Sequence, residues 1–121
     1  VATTVLVIDD EIHIRRLVTR MLEIFGFNTL EASDGQQALD LMATTQPDVV
    51  TCDISMPGMD GYDFLSTVKQ NPLTKQIPVI IVTALGQETE VKKSLELGAN
   101  DFLTKPFSAS HLVEIIEKQL E

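Results

Sequence analysis

The sequence predicts an α/β protein built on a parallel sheet with helices on both faces. Two observations carry this. Five short apolar runs, VLVI (5–8), FNTLEA (27–32), DVVTC (48–52), PVIIV (78–82) and DFLT (101–104), alternate with five helical patterns. The first, third and fourth runs are rich in Val and Ile and nearly unbroken, as strands covered on both faces require. Five alternations of strand and helix imply right-handed crossovers in one sheet.

Taken in order, the second run alternates and is poorer in apolar residues, which suits an edge strand. The first helix carries Ile14, Leu17, Val18, Met21, Leu22 and Phe25 at helical spacing, predicting one buried stripe, and Gly26 follows as a left-handed cap. The second runs from about Gly35 to Thr45 after the cap signal Ser33-Asp34, with Ala38, Leu39 and Met42 facing inward. Gly61 to Gln70 gives the third, anchored by Phe64, Leu65 and Val68. The fourth, Glu88 to Leu97, has only Val91, Leu95 and Leu97 as strong apolar anchors before Gly98. The fifth begins near Ser108 and shows a broad apolar face of Leu112, Val113, Ile115, Ile116 and Leu120. That face has two uses open to it, packing on the sheet or serving a dimer or adjoining domain.

A chain of 121 residues with 44% apolar content suits one domain, 1–121, with a single core. No apolar run approaches the ~20 residues of a membrane span, and no signal-peptide pattern opens the chain, so no membrane association is expected. The single Cys52 forms no internal disulfide, which suits a reducing, cytoplasmic setting. A formal charge of −9 repels nucleic acid over most of the surface, so no direct nucleic-acid contact is expected.

Chemistry concentrates where the strands stop. VLVI is followed by Asp9, Asp10 and Glu11, DVVTC by Asp53, PVIIV by Thr83 and DFLT by Lys105. Neighbouring strands lie ~4.8 Å apart, so these groups can converge beyond the carboxyl edge of the sheet, where such folds place their binding crevice. Three carboxylates together need a counter-ion, and Mg²⁺ suits a site of one or two carboxylates, a carbonyl and waters. Lys105 supplies a fixed cation and Thr83 a hydroxyl. Metal, cation, donor and in-line nucleophile are the parts of a phosphoryl-transfer site. Asp53, heading the loop DISMPGMDG, is the best nucleophile, because an ionised carboxylate needs no general base.

In the order Asp9-Asp10-Glu11, Asp53 in DISMPGMDG, Thr83-Ala84, Gly98-Ala99 and Lys105-Pro106-Phe107, these motifs resemble the receiver domain of two-component response regulators over essentially the whole chain. The resemblance implies a flavodoxin-like (βα)5 fold, a five-stranded sheet in the order 2-1-3-4-5. It implies a phosphorylation-driven signalling switch, not an enzyme beyond its own phosphoryl transfer and autodephosphorylation. Asp53 would accept the phosphoryl group from a histidine kinase or histidine phosphotransfer protein. Asp10, Asp53 and the Ser55 main-chain carbonyl would hold Mg²⁺ directly, Asp9 through water, with Thr83 and Lys105 on the phosphoryl oxygens. A cis Lys105-Pro106 bond is expected.

Output would then be a population shift of a surface made of the fourth helix, fifth strand and fifth helix, read by a downstream effector domain or protein. Thr83 would pull the weakly anchored fourth helix. Phe102 matches the family's switch aromatic, and a static core role stands equally beside that. Ser55 and Leu85 occupy the positions where the family tunes phosphoryl lifetime; neither positions water readily, which implies a longer-lived phosphorylated state.

Other residues have competing readings. Asp9 or Asp10 can cap the first helix. Arg15, Arg16 and Arg20 read as a solvated basic face, or with Ile12 as a docking surface for a phosphodonor helix. Met56 and Met59 read as packing residues, Cys52 as buried or as an oxidation site, and His13 and His111 as surface residues. Two rival functions remain. An aspartyl-nucleophile phosphohydrolase normally carries a second acid two residues after the nucleophile, where Ser55 stands. A phosphorylation-independent binding module would have lost part of the acidic pair, nucleophile or lysine, and none is lost.

Overall fold

The computed structural model of the chain describes residues 2–54, 60–84 and 88–121. Ten elements alternate along it: β1 (Thr4–Ile8), α1 (Ile12–Ile24), β2 (Asn28–Ala32), α2 (Gly35–Thr44), β3 (Val49–Asp53), α3 (Gly61–Gln70), β4 (Val79–Ala84), α4 (Glu88–Glu96), β5 (Asp101–Lys105) and α5 (Ala109–Gln119). The five strands pair in parallel in the order β2-β1-β3-β4-β5, the flavodoxin-like arrangement. As expected, β2 is an edge strand, and only Ala32 of its five residues is buried.

The pleat divides the core in two. Leu6 and Ile8 of β1 join Val50 and Cys52 of β3 and Ile81 of β4 under Phe64, Leu65 and Val68 of α3. The intervening residues Val5, Val7, Val49, Val82 and Leu103 turn to the other face, under Val18 and Leu22 of α1 and Leu112 and Ile116 of α5. Period-two alternation within continuous apolar runs therefore feeds two helical layers at once. The broad apolar face of α5 is used this way: Leu112, Val113, Ile115 and Ile116 are all buried.

Local signals set the helix ends. Asp34, Asp60 and Ser108 are N-caps whose side chains accept from the N–H three residues on. Gly26 follows α1 at φ +93°, and the N–H of Phe27 donates to the carbonyl of Leu22 at 3.0 Å, closing the helix with a left-handed residue.

Two expectations are corrected. The stripe of α1 is narrower than its periodicity suggests: Val18 and Leu22 are buried with Thr19, whereas Ile14, Leu17 and Phe25 are exposed. Thr19 can take an inward place because its hydroxyl donates to the Arg16 carbonyl at 2.9 Å. The cap of α1 is Glu11, whose carboxylate accepts from the His13 N–H at 3.0 Å, and not Asp9 or Asp10.

Candidate functional site

Sheet register explains how residues far apart in sequence meet. Ile8 lies opposite Cys52, so Asp9 and Asp53 are the next positions on adjacent strands. Asp53 lies opposite Val82, and Val82 opposite Leu103. Asp9, Asp53 and Lys105 each fall two residues beyond a position on the α1/α5 face, so the pleat that buries Val7 and Leu103 also brings these three together. The chain leaves β1 toward β2 on one side and returns to β3 on the other, making the β1/β3 boundary the point where strand order reverses.

The Lys105 ammonium donates to Asp53 Oδ2 at 3.2 Å and to Asp9 Oδ2 at 3.4 Å. Desolvation alone would lower the Lys105 pKa, but the charges of Asp53 and Asp9 outweigh it and hold the ammonium above the usual lysine range. Burial pushes the Asp9 carboxyl up, and the Glu11 N–H at 2.9 Å and the Lys105 charge oppose that only in part. Asp10 is exposed beside them. One carboxylate oxygen from each of Asp9, Asp10 and Asp53 lies within 4.8 Å of the others, a donor set of hard oxygens that fits a small divalent cation. The Lys105-Pro106 bond is cis, as expected.

Thr83 is buried at the end of β4, opposite Thr104 and one residue beyond the partner of Asp53; its hydroxyl donates to the Ala84 carbonyl at 3.5 Å. Phe102 is 39% exposed, so it is not a core residue. Ile12 is 41% exposed at the start of α1, close in sequence to the acidic pair. Cys52 is fully buried and burial drives its thiol pKa up, the state of an inert thiol and not of an oxidation site. His13 and His111 are exposed, as expected. Ser55, Met56, Met59 and Leu85 lie outside the described residues.

Two contributors escaped the sequence reading. Arg15, read there as part of a basic face, donates from Nη1 to the Asp9 carbonyl at 2.9 Å and from Nε to Glu31 at 2.9 Å. It braces the backbone of the acidic pair against β2. Gly61 stands where α3 meets the end of β3: its N–H donates to the Ile54 carbonyl at 2.9 Å, and a Cβ would lie 2.7 Å from the Asp53 carbonyl oxygen and 2.7 Å from Ile54 Cα. Only a glycine permits that approach. The sequence signal was a glycine at a helix start, where no turn demands one.

A five-stranded parallel sheet in this order, with a lysine bridging acids at its carboxyl edge, is the arrangement of a flavodoxin-like domain with a charged site beyond its strand ends. The chain matches the response regulator receiver domain over residues 5–117 and belongs to that family, the signal-receiving part of two-component systems. It is 40% identical over 113 residues to the phosphate regulon transcriptional regulatory protein PhoB of Pseudomonas aeruginosa, covering 93% of this chain and 49% of that protein. The chain thus spans about half the length of the curated relatives it matches. A structure assigned as a response regulator from Chloroflexus aurantiacus superposes with TM-score 0.96 at 34% identity, covering 99% of this chain and 98% of that one. The signal receiver domain of a signal transduction histidine kinase from Syntrophus aciditrophicus superposes with TM-score 0.91 at 34% identity, covering 98% and 90%.

Proposed function

We propose that residues 1–121 form one receiver domain in which Asp53 is reversibly phosphorylated. The observation that carries this is the Lys105 ammonium shared between Asp53 and Asp9 at 3.2 and 3.4 Å, with Asp10 completing the acidic group. A carboxylate oxygen of Asp53 attacks the phosphorus of a phosphohistidine or small acyl phosphate. The bond to the donor's nitrogen or oxygen breaks, and the donor leaves with the electron pair. Lys105 holds the carboxylate before transfer and offsets the added phosphoryl charge afterwards; Thr83 contributes a hydroxyl to a phosphoryl oxygen. Mg²⁺, which Asp10, Asp53 and the Ser55 main-chain carbonyl would hold directly and Asp9 through water, would neutralise charge on the transferring group.

The phosphoryl group adds charge and three acceptor oxygens in a tight place. Thr83 responds, α4 follows, and Phe102 on β5 changes its exposure, so that the α4-β5-α5 surface presents a different face to a downstream effector. Because the phosphoryl acceptor is the chain's own side chain, it acts as a switch and not as an enzyme working on a separate acceptor. The phosphodonor docks on α1. Ile12 is exposed there, and a mainly apolar groove of about 400 Å³, lined by Ile14, Leu17, Met21, Pro106 and Phe107, opens next to Lys105. A cytoplasmic location accords with a phosphodonor kinase acting from inside the cell. Among the described residues no helix is long and apolar enough to cross a membrane.

Incubation with Mg²⁺ and a small acyl phosphate, followed by intact-mass measurement, tests the chemistry. One phosphoryl addition is expected, stripped by base and lost in Asp53→Asn; an unchanged mass in the wild type would overturn the reading. Ile12→Lys should slow transfer from the cognate kinase and spare the small donor. Equal slowing with both donors would remove the docking role.

A further inference from the structure

Helix α4 is held to the rest of the fold at two places of different character. At its C-terminal end, Gly98 lies at φ +108° over the Lys69 side chain, so close that a Cβ would come within 3.1 Å of Lys69 Cγ. Lys69 Nζ donates to the Ile77 carbonyl at 2.9 Å, the Lys75 carbonyl at 3.2 Å and Asn100 Oδ1 at 2.8 Å. Asn100 Oδ1 also accepts from the Val79 N–H at 3.0 Å. This end of α4 is therefore pinned to α3 and to the starts of β4 and β5.

Further along α4 the hold is lighter. Lys93 Nζ lies 4.3 Å from the centroid of the Tyr62 ring on α3. The Tyr62 hydroxyl is shut off from solvent and, among the described residues, has no hydrogen-bond partner. A buried hydroxyl without a partner is costly, so this arrangement leaves an interaction unmade. Glu90 stands three residues before Lys93, on the same side of the helix. Its charge reaches Tyr62: after desolvation, Glu90 is the next largest influence raising the phenol's pKa.

We propose that Tyr62 is a two-position latch for α4. At rest the ring carries the Lys93 ammonium; when α4 pivots about its pinned C-terminal end, the Glu90 carboxylate accepts the Tyr62 hydroxyl instead. One contact is exchanged for another, which gives the helix two discrete positions. The latch rests on the reading that α4 moves when Asp53 is phosphorylated.

The test uses fluoroberyllate with Mg²⁺ as the phosphoryl mimic, reading binding affinity and amide hydrogen exchange along α4. Lys93→Met keeps the stem and removes the cation, so α4 should exchange faster without ligand and affinity should rise about two- to fivefold. Tyr62→Phe keeps the ring and removes the hydroxyl, so affinity should fall by about two- to tenfold. A rise for Lys93→Met together with a fall for Tyr62→Phe supports the latch. The reverse pattern, a shift of both in the same direction, or either variant alone matching the wild type overturns it, while the wild-type α4 response preserves the phosphorylation reading. If the wild type binds fluoroberyllate and α4 exchange does not change, the moving-helix reading fails and the latch with it.

Discussion

Two helices on the β4-β5 half of the molecule are secured very differently. Helix α5 buries Leu112, Val113, Ile115 and Ile116 against the sheet, whereas α4 buries only Ser94 and leaves Leu95 43% exposed. Both are about the same length and both flank β5, so the difference lies in side chains. An apolar residue fully buried is worth roughly 1.5–3 kcal/mol, and α5 has four such anchors where α4 has none. The lesson is that resistance to movement is allotted element by element. The acidic site itself belongs to the rigid part: Asp9 and Asp53 extend strands whose Val5, Leu6, Val49 and Val50 are completely buried. On the proposed reading, a chemical event on this fixed edge is read out by the loosely held helix.

The comparison can be broken most severely at its rigid side. Phe64 is fully buried on α3. Phe64→Ala should cost about 3–5 kcal/mol, read from urea unfolding. A loss below ~1 kcal/mol would mean that the core is not the rigid support described. Next is the cation at the crest. Lys105→Met should slow phosphoryl uptake from a small donor by about 10²–10³-fold with little loss of stability, since one preorganised donor is removed. A rate within threefold of the wild type would deny Lys105 its role.

Gly61→Ala tests how closely α3 must approach the nucleophile. The new methyl meets the backbone of Asp53 and Ile54 at 2.7 Å. A destabilisation of about 1–3 kcal/mol is expected, with a matching shift in the Asp53 amide resonance. A silent substitution would show that the junction yields freely. The smallest effect belongs to the lightly anchored side: Leu95→Ala on half-exposed α4 should change stability by under ~1 kcal/mol. A larger loss would place α4 in the same class as α5.

Much of this arrangement was legible in the sequence because parallel strands buried on both faces leave unbroken apolar runs. The residue after four of the five runs falls at the carboxyl edge of the sheet, which is why Asp9, Asp53, Thr83 and Lys105 could be placed there. Strand order was not readable from the runs, since an apolar segment does not name its neighbour; it came with the family resemblance. Periodicity found the apolar stripe of α1 but not how much of it is covered, so Ile14 and Leu17 were placed inside when they flank an open groove. Arg15 was misread because its acceptors, the Asp9 carbonyl and Glu31, become neighbours only when β2 pairs with β1. Gly61 escaped for a similar reason: a missing side chain matters only when another backbone comes close.

The central claim is that one particular carboxylate of the acidic group is the acceptor. Borohydride reduces an acyl phosphate to an alcohol, so trapping the phosphorylated protein and sequencing its peptides by mass spectrometry locates the bond. The account predicts homoserine at position 53 and aspartate retained at positions 9 and 10. Reduction at Asp9 or Asp10, with Asp53 intact, would contradict it.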